Sequence, residues 1–191
     1  MGKRIIIIDN RQSRAQNWMK ERWDTLCNLH PNLTCVDSIT DCDDLSSYDV
    51  IAVHGSYVTE HNYGERFHNL EKDKYVVYFS GGFSIVRLEN EHLLKIPAIQ
   101  FYSSHLIPFC SYVLNLADDE EVNLSMLVYG VEHWRIPQLI KLRDLVWRFP
   151  DENTRPNWVD REETRLMNKL SVTSLDIDTL STVINQELLS L

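Results

Sequence analysis

The feature that most constrains this sequence is a short apolar run that stops abruptly at polar or glycine residues, and it occurs three times. Ile5-Ile6-Ile7-Ile8 ends at Asp9-Asn10, Val50-Ile51-Ala52-Val53 ends at His54-Gly55-Ser56, and Tyr75-Val76-Val77-Tyr78-Phe79 ends at Ser80-Gly81-Gly82. Runs of β-branched and aromatic residues with no polar alternation mark strands buried on both faces, as in parallel sheets. Such strands need helices to cover them. Residues 12–28 supply one, since Ala15, Trp18, Met19, Trp23, Leu26 and Cys27 recur mostly at spacings of three and four. A second short helix ends at Leu70, and a third stretch carries Val86, Leu88, Leu93 and Leu94. Leu33 to Val36 and Pro97 to Tyr102 read as further strands.

Strand–helix alternation with short connections predicts an α/β chain of the flavodoxin-like, three-layer kind, with an open parallel five-stranded sheet. Its bounds are residues 1–115. A C-terminal helical extension, 116–191, is expected either to pack on the same domain or to form a separate module. Within it, 124–131, 136–147, 160–170 and 175–190 read as helices, and 150–159 reads as a loop. Asp118, Asp119, Glu120 and Glu121 read as a solvated helix start, and Asp176 or Asp178 as the cap of the last helix. Trp134, Trp147 and Trp158 are expected in interhelical packing.

The net charge of −9 leaves no basic footprint, which argues against nucleic acid and suits a basic partner surface. Cys27, Cys35, Cys42 and Cys110 include no C-x-x-C pair, so reduced structural thiols are expected and a zinc site is not. Asp41, Asp43 and Asp44 lack the glycine and distal glutamate of a calcium loop. The run at Ile5–Ile8 is too short for a signal-peptide core or a membrane span, so the expectation is a cytoplasmic protein without metal or cofactor.

In open parallel sheets, ligands bind beyond the carboxyl ends of the strands, near the switch in strand order. Asp9, Asn10, His54, Gly55, Ser56, Ser80, Gly81 and Gly82 occupy those ends and are the candidate binding residues. Three of the six glycines fall there, where tight turns and close backbone approach are needed. The same residues also fit a plain structural role as caps and turns. The following loop, with Tyr57, His61, Asn62 and Tyr63, is a candidate for partner contact. His61, His68, His92 and His105 read as surface histidines.

The strand ends resemble the active site of response-regulator receiver domains. In that family, acids ending the first strand bind Mg²⁺, and an aspartate ending the third strand accepts the phosphoryl group. The fourth strand ends in Ser or Thr before a small residue, and the fifth in Lys before Pro. Here Ile8-Asp9-Asn10 matches the first with one acid missing, Asp49 to His54 matches the third with His54 in the acceptor position, and Phe79-Ser80-Gly81 matches the fourth. Leu106-Ile107-Pro108-Phe109 is similar to the fifth-strand step, without its lysine. Histidine does not support acyl-phosphate chemistry, and one acid is too few for a Mg²⁺ site. The resemblance therefore implies a pseudo-receiver: a non-catalytic, regulatory protein–protein interaction module in a bacterial-type cytoplasm, paired with itself or with another protein.

A second resemblance is to class I glutamine amidotransferases. It rests on Asp9-Asn10-Arg11-Gln12-Ser13 after the first strand and on Tyr78-Phe79-Ser80-Gly81-Gly82 in place of the nucleophile elbow. Serine replaces the cysteine, the first elbow glycine is missing, and no His-Pro-x-Glu follows. What it implies is an alternative, a small hydrolase or amidotransferase-like enzyme with Ser80 as nucleophile and His54 as base. A nucleotide or small-anion binder at Gly81-Gly82 is a third reading, without a phosphate-loop lysine.

Overall fold

A computed structural model describes residues 2–10, 25–26, 28–42, 44–60, 70, 72–151 and 153–190, with the side chains of 58–60 left aside. The expected helix over 12–28, including Ser13 and Cys27, lies almost wholly outside the described residues. Asp43, His61, Asn62, Tyr63 and His68 lie outside them too. The chain divides into two compact units, Met1–Val131 and Glu132–Leu191.

The first unit is built on a six-stranded sheet: β1 (Ile5–Ile8), β2 (Leu33–Val36), β3 (Val50–His54), β4 (Tyr75–Ser80), β5 (Arg87–Asn90) and β6 (Leu93–Pro97). The strand order is β2-β1-β3-β4-β6-β5, and only β5 runs antiparallel to its neighbour. Pleating splits the apolar runs between two faces. Ile5, Ile7, Ala52, Val77, Phe79, Leu94 and Ile96 form one core with α2 (Ala98–Phe101), α3 (Leu106–Leu114) and α4 (Ser125–Tyr129). Ile6, Ile8, Ile51, Val53, Val76, Tyr78 and Leu93 form the other core, with Ile39 and Leu45 from two single 3₁₀ turns. Burial on both faces explains why these strands carry no polar alternation.

Several expectations are corrected here. The stretch carrying Val86, Leu88, Leu93 and Leu94 is not a helix but the β5–β6 hairpin. Asn90 Oδ1 accepts the His92 N–H at 2.8 Å across its turn. The fifth parallel strand is Leu93–Pro97, so Pro97 ends a strand instead of starting one and caps α2. Leu106 to Phe109 accordingly lies inside α3, not at a strand end. The first unit extends to Val131, with Val122, Leu124 and Leu127 buried in the sheet's core. The acids 118–121 form turn and coil, and Glu120 Oε2 caps the Ala117 N–H at 2.7 Å; α4 begins only at Ser125.

The second unit contains α5 (Arg135–Arg148), α6 (Asn157–Leu170) and α7 (Ile177–Leu189). Leu139, Leu142, Leu145, Val159, Leu166, Leu170, Leu180 and Ile184 make its core. Asp176 caps α7, accepting from Thr179 N–H at 2.8 Å. Trp134 packs on this core, and Trp158, though 49% exposed, meets Phe149 edge-on at 5.7 Å; Trp147 is 68% exposed, contrary to the expected packing role. Among the described residues no helix is long and apolar enough to cross a membrane.

Candidate functional site

Strand ends bring most of the candidate residues to the carboxyl edge of the sheet, in two groups. The first group lies at the β1/β3 boundary, where the strand order changes direction. Ile8 pairs with Val53, so Asp9 comes opposite His54 one step further on. Both are buried, unlike Asn10, which is exposed. Asp9 N–H still donates to the Val36 carbonyl at 3.1 Å, which holds it in the ladder. Its Oδ2 accepts from the Tyr102 hydroxyl at 2.5 Å. Tyr102 follows α2, and its ring packs edge-on against Phe79 and Phe101, with centroids 5.5 and 5.0 Å away. Phe101 in turn stacks flat on Phe79 at 4.0 Å.

His54 sits edge-on to Phe79, its register partner, at 5.4 Å. Its Nδ1 lies 2.8 Å from Ser56 Oγ and accepts the Ser56 N–H at 3.2 Å. Because the backbone N–H only donates, Nδ1 carries the lone pair and Nε2 the hydrogen. Ser56 lies in α1 (Gly55–Glu60), which leaves β3 without a break. Asp9 with Tyr102 and His54 with Ser56 thus form two hydrogen-bonded pairs, and Tyr102 and His54 both pack edge-on against Phe79.

The second group is Gly55, Ser80 and Gly82. A Cβ on Gly55 would stand 3.1 Å from Ser80 Cβ, a tight contact to which Ser80 would have to yield by a few tenths of an ångström. Ser80 Oγ accepts from Gly82 N–H at 3.1 Å. Gly81 has nothing within 4 Å of a would-be Cβ. Pleat alternation sends Ser80 to the Tyr78 side and His54 to the Phe79 side. The Ser80–His54 pair expected from the sequence thus falls on opposite faces of the sheet, and His54 Nδ1 engages Ser56. The expected strand-to-helix elbow is also missing. Ser80 leads into a turn and then into β5, and Ser171 is the sole non-glycine with positive φ among the described residues.

The other motif residues fall elsewhere. Lys95, the lysine of β6, pairs with Tyr78 short of the strand end and lies 3.2 Å from Glu89. Tyr57 donates its hydroxyl to the Asp37 carbonyl and packs on the core, so it is not a projecting contact residue. His92 stacks on Tyr75 at 4.6 Å, and His105 fills the space beside Gly130. Cys35, Cys42 and Cys110 are free thiols, and burial pushes Cys110 up to about 12. No group of three or more metal-ligating side chains occurs among the described residues.

Tyr102 was not legible as a site residue. Its sequence context, an apolar stretch after Pro97, carries no sign of a partner 93 positions away. Compared with protein-family models, curated proteins and solved structures, the chain matches none of them.

Proposed function

We propose that this chain is a degenerate receiver-like module that regulates by binding another protein, not by phosphotransfer. The carrying observation is that the chain's own groups engage the polar strand ends: Tyr102 binds Asp9, Ser56 binds His54, and Gly82 binds Ser80. Receiver chemistry needs free acids and a lysine at those positions. Here a buried histidine stands where the acceptor aspartate would be, and Lys95 is turned to Glu89. The parallel strands β2-β1-β3-β4-β6 follow the flavodoxin-like order, with β5 added at the edge, and this supports the receiver-like reading. Ile85, after β4, and Ile99, in α2 after β6, are 60% and 65% exposed, which suits protein contact.

The test has two parts. Intact mass after incubation with acetyl phosphate and Mg²⁺ should show no phosphoadduct; a stoichiometric adduct ends the reading. In cells, cross-linking should then join the chain to a defined protein, with loss of that product on Ile99→Asp. Light scattering over a concentration series separates a second copy of the chain from a different partner.

One observation favours a second reading, a small Ser/His hydrolase. A serine hydroxyl lies within hydrogen-bond distance of a buried imidazole, although the serine is Ser56 and not Ser80.

A further inference from the structure

We infer that Ser56, with His54 as its base, is an acyl-accepting nucleophile for thioesters and aryl esters. This rests on the hydrolase reading and names its nucleophile and substrate class. Three relationships carry it. Ser56 Oγ lies 2.8 Å from His54 Nδ1, and the Ser56 N–H fixes that nitrogen as the one with the lone pair. Ile8 pairs with Val53, so Asp9 and His54 follow at the ends of adjacent strands, and a buried carboxylate lies on the strand beside the one that carries the base. Tyr102 donates to Asp9 Oδ2, and Phe79 supports the imidazole edge-on, so the base and its neighbour are both held in place. Ser56 itself is only partly buried, whereas His54 and Asp9 are buried. Of Asp9, His54, Ser56 and Tyr102, Ser56 is therefore the one that is not buried.

The step balances without any further reactant. Ser56 Oγ bonds to the acyl carbon while its proton passes to His54 Nδ1. The carbon–sulfur or carbon–oxygen bond breaks, and the thiolate or phenolate leaves and takes the proton from His54. Water then attacks the acyl-serine, giving up a proton through His54, and releases a carboxylic acid with Ser56 restored. The substrate class follows from leaving-group chemistry. A single imidazole base suffices where the leaving group is a weakly basic thiolate or phenolate, whereas an amide nitrogen must be protonated as it departs.

The experiment treats the wild-type chain with an alkyl fluorophosphonate, maps the modified residue by peptide mass spectrometry, and measures p-nitrophenyl acetate turnover alongside. The expected result is modification at Ser56 in the folded chain and none in urea. His54→Gln should slow it about a hundredfold. Modification at Ser80 overturns this inference and leaves the hydrolase reading standing. Absence of both labelling and turnover overturns both. Labelling that persists in urea, or falls on any other residue, counts against Ser56.

Discussion

The Tyr102 hydroxyl donates to Asp9 Oδ2 at 2.5 Å across 93 residues of sequence, and this bond ties the end of β1 to the segment after α2. Both residues are buried, so neither oxygen exchanges its partner for water at low cost. Tyr102→Phe keeps the ring packed on Phe79 and removes only the donor. We expect it to cost about 1–3 kcal/mol, the usual penalty for stripping a partner from a buried polar group. The check is a shifted denaturant midpoint with an unchanged m-value. A neutral result would mean that Asp9 does not depend on Tyr102.

Gly130 has φ of +87° and ψ of 154°, a conformation that is nearly glycine-only, and a Cβ there would also lie 3.5 Å from the His105 ring. Gly130→Ala should therefore destabilise the first unit by about 1–3 kcal/mol. Ser171, at φ 54° after α6, offers the opposite case. Ser171→Gly should be neutral or stabilising by up to about 1 kcal/mol. Thermal melts of the two variants should shift in opposite directions, or only the first should shift.

Arg155 binds the buried Glu163 at 2.8 Å and also Asp160, so α6 holds a charge pair of low exposure near its start. Removing one partner is worse than removing both. Arg155→Met should cost about 3–5 kcal/mol. Arg155→Met combined with Glu163→Leu should recover most of that loss. A double-mutant cycle read by chemical denaturation checks this, and simple additivity would contradict it.

Glu162 takes hydrogen bonds from Arg165 and Lys141, which hold its carboxyl down from 4.5 to about 2. A carboxyl depressed on folding stabilises above its unfolded value and loses that contribution as pH falls through the folded value. The second unit should lose about 2 kcal/mol between pH 4.5 and about 2, a figure reduced for the exposure of Lys141. Glu162→Gln should flatten this part of the pH–stability curve. An unchanged slope in that variant would assign the loss to other carboxyls.

The parallel strands were legible because a chain buried on both faces has no room for polar alternation, and Ile5–Ile8 and Val50–Val53 show none. The helices of the second unit were legible from stripes such as Leu139, Leu142 and Leu145. The β5–β6 hairpin was not. Leu88, Leu93 and Leu94 suit a helical stripe, and the true signals were the two-residue spacings Val86–Leu88 and Leu94–Ile96 around an Asn90 turn. At the site, strand-end position was legible but register was not. Register puts Phe79 opposite His54 and leaves Ser80 on the other side, so the imidazole meets Ser56. No local pattern encodes that pairing, and the Asp9–Tyr102 bond depends wholly on the folded chain.

The most direct test of the receiver-like account is Mg²⁺ titration by calorimetry of the wild type and of the variant carrying Asn10→Asp with His54→Asp. The variant restores the two missing acids at the ends of β1 and β3. The account predicts no Mg²⁺ binding by wild type and measurable Mg²⁺ binding by the folded variant, since added carboxylates make the site. Mg²⁺ binding by wild type, or none by the folded variant, would contradict it.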